Sequence, residues 1–318
     1  MHAPGQFLAS GVLVGATVIV GSRLSGPIYH LVRPRLDRLA PEDRSRVITL
    51  FALLPWLLAV AVLIMAFLPS FVTIPGLIED HCLPHDHHPH LCLLHGRWMP
   101  SGPLWGSVAL LGLGGALLWA RLVVRVFKAH RVVLNLMRVS RRQGALQVLP
   151  TQHPMAFTAG LIRPQTVVSD AVLAGLPPED LDIVLRHEEG HAHRRDTLWQ
   201  VVLEALALAM PKNSRIHLLE DFSLACEEAC DRRAVQGTAT PDRVAEVLLR
   251  MQRLGCLQPE GVAGATGSHL SRRVRALLGD PYPPRPQWMK ALWLAPLLLL
   301  AADPVHHTAE TLLGWLLF

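Results

Sequence analysis

The sequence predicts an α-helical membrane protein of about four transmembrane helices that carries one α+β domain on its inner side. Three observations predict it. Hydrophobic residues make up 51% of the 318 residues and charged residues only 17%, too apolar for an ordinary soluble domain. That apolar excess is concentrated in separate segments, and the loops between them differ sharply in basic residues. A long stretch between the third and fourth segments mixes short β-like runs with helical periodicity.

Residues 47–68 form the strongest span, free of charge and tolerating Pro55. Residues 104–120 follow it in strength and end at Arg121, Arg125 and Lys128. Residues 7–22 are shorter and uncharged. They lack the basic n-region of a signal peptide, and their basic residues come afterwards. Residues 288–302 are the weakest span, with Lys290 near the start, and the apolar tail 311–318 extends them or lies along the interface. The expected division is a membrane domain over 1–127, an inner domain over 128–286, and a C-terminal helix and tail over 287–318.

Charge sets the orientation. Six arginines lie between Arg23 and Arg46, seven basic residues lie between Arg121 and Arg142, and the loop 69–103 holds only Arg97. Basic loops stay in the cytoplasm, which places the N-terminus outside and the domain after Arg121 inside. The net charge of +5 is thus a topology signal. Direct nucleic-acid binding would need a basic face on a binding fold, and neither is visible.

The outside loop holds six histidines and two cysteines between His81 and His95. Clustered imidazoles and thiols can bind zinc or copper, and the alternative is a polar spacer. Cys82 and Cys92 could bridge there, whereas Cys226, Cys230 and Cys256 fall inside as free thiols. Cys226 and Cys230 are four apart, but small buried cysteines on helices are common without a metal.

In the inner domain, residues 145–149 and 166–169 read as short strands, with a turn-bounded segment between them. Helices follow: an apolar one over 197–210, a long one over 216–235 and an amphipathic one over 242–254. Residues 255–268 read as a loose glycine-rich loop.

The chemistry sits in Arg186-His187-Glu188-Glu189-Gly190-His191, which contains H-E-x-x-H. On a helix, His187 and His191 project from one face and can grip one metal ion, with Glu188 beside them to deprotonate an attacking water. The lead-in fits: Pro177-Pro178-Glu179-Asp180 reads as a helix start, and Leu181, Val184 and Leu185 supply an apolar face. His193 faces elsewhere and reads as a surface residue. A catalytic zinc site wants a third protein ligand, and Glu227-Glu228-Ala229-Cys230-Asp231 offers one. Glu227 and Asp231 share a face and suit a ligand and its hydrogen-bonding support. By spacing alone, a solvated acidic helix fits equally well.

Four blocks resemble, in order, the BlaR/MecR-type family of antirepressor membrane metallopeptidases, and more distantly the HtpX and CAAX-prenyl-protease group. Residues 157–164 are similar to its F-x-x-G-x-x-R-P strand-turn, residues 187–196 to its zinc helix, residues 227–231 to its E-x-A-C-D block, and residues 271–278 to a basic segment near the domain's end. The resemblance covers nearly the whole chain. It implies a zincin-like (gluzincin) fold and one catalytic Zn2+ held by His187, His191 and Glu227. Glu188 becomes the general base and Asp231 the orienter of a ligand histidine. It also suggests that a substrate strand adds to an exposed edge formed by Ala156, Phe157, Thr158, Ala159 and Gly160, with an interior strand-turn as the alternative. His269 and Arg273 are candidates to assist the oxyanion.

The antibiotic-sensing members carry a penicillin-binding domain beyond the fourth span, which this sequence does not show. A sensor is therefore expected in the outside loop or a partner. The leading expectation is a zinc endopeptidase in the lipid bilayer that cleaves a cytoplasmic, penicillinase-repressor-like transcription factor in signal-induced gene regulation. A housekeeping protease of membrane proteins is the second reading. A non-proteolytic metal receptor or transporter is the third, disfavoured because the three stronger spans hold no charge.

Overall fold

The computed structural model describes residues 3–73, 102–235, 239–255, 269–279, 282, 304, 305, 307–309 and 311. The histidine-rich loop, Cys82, Cys92, Cys256, the glycine-rich loop 256–268 and the expected fourth span at 288–302 lie outside these residues.

The first two helices, α1 (Ala3–Leu36) and α2 (Pro41–Thr73), form an antiparallel pair with Gly21 packed on Pro55. Among the described residues, Ser10–Leu36 and Pro41–Leu68 are long and apolar enough to cross a membrane. Large apolar side chains such as Leu57, Val60 and Ile64 remain exposed on them, as do Leu113 and Leu117 on α3 (Gly102–Val139). Both α1 and α3 continue well past the apolar runs 7–22 and 104–120 into segments read from the sequence as basic loops. The reason is packing: Tyr29 and Leu36 of α1 are buried in a core with Leu218 and Phe222, and Val133, Leu136 and Met137 of α3 pack on Leu149, Phe157 and Val167.

The sheet comprises β1 (Arg141–Gln143), β2 (Leu146–Leu149), β3 (Ala156–Ala159) and β4 (Gln165–Ser169) in the order β1-β2-β4-β3. β2 and β4 run parallel and the other pairs antiparallel. β2 and β4 are the two strands expected from their β-branched and aliphatic runs. β1, three exposed residues, carries no such run. Alternation splits the sheet between two cores: Phe157 and Val167 face α3, whereas Ala156 and Val168 face the helices beyond.

Those helices are α4 (Asp170–Gly175), α5 (Pro178–Arg194), α6 (Asp196–Leu206) with a 3-10 turn at Ala207–Ala209, α7 (Lys212–Val235), α8 (Pro241–Arg253) and α9 (Leu270–Leu278). The apolar segment expected over 197–210 is α6 with its 3-10 turn. One core joins Ile48 and Ala52 of α2 to Leu203, Met210, Leu218 and Phe222, so the first two helices and the motif-bearing domain are packed together. Polar links reinforce it: Arg33 pairs with Asp221 at 2.6 Å, Arg232 with Glu42 at 3.0 Å, and Arg272 with Asp37 at 2.8 Å.

Candidate metal centre

α5 starts as its sequence dictates, with Pro177 at the cap, Pro178 at the first helical position, and Glu179 and Asp180 in the first turn. Asp180 is fully buried and pairs with Arg243 and Arg250, each at 2.5 Å, which ties α8 to the start of α5. At the other end Arg195 adopts φ 56°, the left-handed conformation, and turns the chain straight into α6. That reversal brings Asp196 back onto α5: its Oδ2 lies 2.9 Å from His191 Nδ1.

α7 crosses α5 at close range, and Gly190, inside the motif, makes the approach available. A Cβ at Gly190 would stand 2.9 Å from Cys230 Sγ and 3.3 Å from Arg233 Cδ. The crossing brings Glu227 to the histidines. His187 Nε2 and His191 Nε2 are 3.2 Å apart, His187 Nε2 is 3.4 Å from Glu227 Oε2, and His191 Nε2 is 3.5 Å from Glu227 Oε1. A tetrahedral ion with ligand bonds of about 2.1 Å separates its ligand atoms by about 3.4 Å, so the triangle has the size of one metal ion. Glu227 Oε2 is buried with Arg273 Nη1 2.9 Å away, yet no donor is aligned to hydrogen-bond it. Two ring nitrogens and a carboxylate oxygen gathered this closely form a group that could hold a metal ion.

Behind each histidine stands a carboxylate. Asp231 Oδ1 lies 2.9 Å from His187 Nδ1, off the line of an ideal hydrogen bond, and Asp196 serves His191. Arg273 of α9 anchors the acidic side. Its Nε and Nη2 donate to Asp231 at 2.8 and 2.6 Å, and its Nη1 pairs with Glu227. Burial raises the Glu227 and Asp231 carboxyls, but Arg273 and the histidine contacts outweigh it and hold both below the usual range. Burial lowers His187, but Asp231 and Glu227 more than compensate and hold its pKa up at about 10 without a metal.

Glu188 is buried, and its carboxylate Oε2 lies 3.0 Å from the hydroxyl of Thr158 on β3, which also donates to the Glu188 carbonyl at 2.7 Å. β3 is an edge strand. Ser169 N–H bonds Met155 O, so in this register Phe157 and Ala159 face β4, while the amides and carbonyls of Ala156 and Thr158 point outward. Gly160 ends the strand at φ 109°, with the Arg163 carbonyl 2.8 Å from where a Cβ would be, so only glycine fits.

The structure thus brings His187, His191, Glu227, Glu188, Asp231 and Arg273 together beside the strand 156–160. His269 sits one turn before Arg273 at the start of α9, with a buried Nδ1 that makes no hydrogen bond. His193 is exposed. Cys226 and Cys230 are buried on α7, and burial, with the Asp196 carboxylate nearby, holds both thiols protonated. Cys230 Sγ is 3.8 Å from Asp196 Oδ2, close enough to form a second group with His191 and Asp196. That Asp196 carboxylate already serves His191 and Arg194, which marks it as support for His191. Asp196 as a histidine orienter went unrecognised in the sequence, although its place five residues after His191 was visible.

A helical protein with two helices long and apolar enough to cross a membrane and an H-E-x-x-H site that could hold a metal ion is the class that this fold and site define. Residues 103–277, more than half of the chain, match the family described as BlaR1 peptidase M56. The chain belongs to that family. Comparison with curated proteins gives no match.

Proposed function

We propose that the protein is a zinc endopeptidase of the bacterial cytoplasmic membrane that cleaves a cytoplasmic protein. The metal-sized triangle of His187, His191 and Glu227 with Glu188 alongside carries this reading. A zinc ion held by these three side chains supplies Lewis-acid activation of water and of the scissile carbonyl. Glu188 takes the proton of the attacking water and returns it to the leaving amine, and the Thr158 hydroxyl holds its carboxylate at the β3 edge. A substrate peptide adds as a strand to the outward amides of Ala156 and Thr158, which passes its backbone beside Glu188. Asp231 and Asp196 fix the histidine rings, and Arg273, fully engaged with Asp231 and Glu227, positions these carboxylates. With Arg273 engaged in this way, His269, one turn before it on α9, is the remaining candidate to assist the oxyanion.

By family, the substrate is a penicillinase-repressor-like transcription factor. A housekeeping role on damaged membrane proteins uses the same site. A neighbouring gene for a small winged-helix repressor would favour the first. Reporters fused after Arg38 or Gln258 should read as cytoplasmic and one at His88 as external, and an external reading at Gln258 would remove the repressor substrate. The central experiment is metal analysis and peptide cleavage with purified protein. We expect about one zinc per chain. Glu188→Ala should retain zinc and lose cleavage, whereas His187→Ala or Glu227→Ala should lose both. Full zinc in Glu227→Ala would overturn the ligand set.

A further inference from the structure

α6 and α7 meet in a hairpin whose tip, residues 206–216, plays no part in the metal centre. Three contacts fix its level along the membrane helices. Trp56 Nε1 of α2 donates to Leu206 O at 3.1 Å. Gly26 of α1 backs onto the tip so closely that a Cβ there would stand 2.8 Å from Ser214 Oγ and 3.1 Å from Pro211. Arg125 of α3 pairs with Glu204, just before the tip, at 2.5 Å. Gly26 and Arg125 lie just past the apolar runs of their helices, and Trp56 lies inside the charge-free run 47–68. Gly26 is one turn past the exposed Arg23, Arg125 one turn past Arg121 at the end of the apolar run 104–120, and tryptophan is the side chain that gathers at membrane interfaces.

The surface of the tip suits that level. Ile216 is 40% exposed, Leu206 and Leu208 are half-buried, and Lys212 and Asn213 are exposed beside the half-buried Arg215. Resting on the membrane orientation proposed above, we infer that this tip is a lipid-contacting element that seats the motif-bearing domain on anionic phospholipid of the inner leaflet. Leu206, Leu208 and Ile216 enter the boundary of the acyl chains, and Lys212 and Arg215 meet headgroup phosphates. From there α7 runs away from the bilayer beside α1, since Ser214 lies at His30 and Gly26 while Asp221 lies at Tyr29 and Arg33. Glu227 is about 20 Å further along α7 at about 1.5 Å per residue.

The test is photo-crosslinking of the full-length protein in vesicles of phosphatidylglycerol and phosphatidylethanolamine, with p-benzoylphenylalanine in place of Leu208, Leu57 or Arg253. Lipid adducts at 208 and 57 but not at 253 are expected. Adducts at 57 alone overturn the seat while leaving the spans intact, and adducts at neither overturn the membrane reading itself. Adducts at all three also overturn it, because contact is then unspecific. Adding Lys212→Ala with Arg215→Ala should lower the phosphatidylglycerol yield at 208 several-fold without changing that at 57. An unchanged yield at 208 overturns the headgroup assignment.

Discussion

Arg44, at the start of α2, and Glu228, the neighbour of Glu227 on α7, form an ion pair in which both side chains are almost fully buried. This joins α2 to the residue beside the proposed metal ligand Glu227. Burial raises the Glu228 carboxyl, and Arg44 opposes that shift. Removing one partner of a buried pair strands the other, which costs about 3–5 kcal/mol. Glu228→Gln should therefore lower thermal stability severely while the protein that remains folded keeps its zinc. Glu227→Ala, which also removes a partner of the buried Arg273, should lose zinc as well as stability. Equal zinc loss in both variants would show that the pair is part of the metal site.

The two carboxylates behind the histidines should act alike. Asp196→Asn and Asp231→Asn are each expected to weaken zinc affinity by roughly 10- to 100-fold, read by competition with a chelator. Asp231→Asn should also loosen Arg273, which donates two hydrogen bonds to it. An unchanged affinity in Asp196→Asn would mean that the α5–α6 turn, not the aspartate, holds His191.

Gly190 sets the separation of α5 and α7. Gly190→Ala places a methyl 2.9 Å from Cys230 Sγ in a packed interior, a clash of the kind that costs about 1–3 kcal/mol. The expected outcome is lower stability together with weaker zinc binding, because the ligands come from both helices. Cys230→Gly in the same chain should restore part of both, and failure to do so would place the strain elsewhere.

The local chemistry was legible in the sequence because it is periodic. H-E-x-x-H and the prolines and acids ahead of it declare themselves within one or two helical turns, whereas the i, i+4 pair Glu227 and Asp231 fitted a solvated helix equally well and stood out only by the family resemblance. What joins those segments was not legible. The contact of Thr158 with Glu188, the hold of Arg273 on Glu227 and the pairing of Arg44 with Glu228 link residues 30 or more positions apart, and no local pattern encodes them. The lengths of α1 and α3 escaped for a related reason. Hydropathy marks where a helix enters lipid, whereas Tyr29 and Val133 extend those helices through tertiary packing that begins beyond it.

His187 gives a pH dependence that separates metal-free from metal-loaded protein. Without metal its pKa is held at about 10, against about 6.5 for a histidine in the unfolded chain. Between those values the folded state binds a proton that the unfolded state does not, so stability falls as pH rises across that window. The contribution is fully present below about pH 6.5 and is lost above about pH 10. Zinc binding must displace this proton, so its affinity should rise by about tenfold per pH unit through the same range. Thermal melts of chelated protein from pH 6.5 to 10 should therefore show a declining melting temperature that flattens when zinc is added. In His187→Gln, the chelated protein should lose the decline. A decline that persists unchanged in that variant would assign the proton to another group.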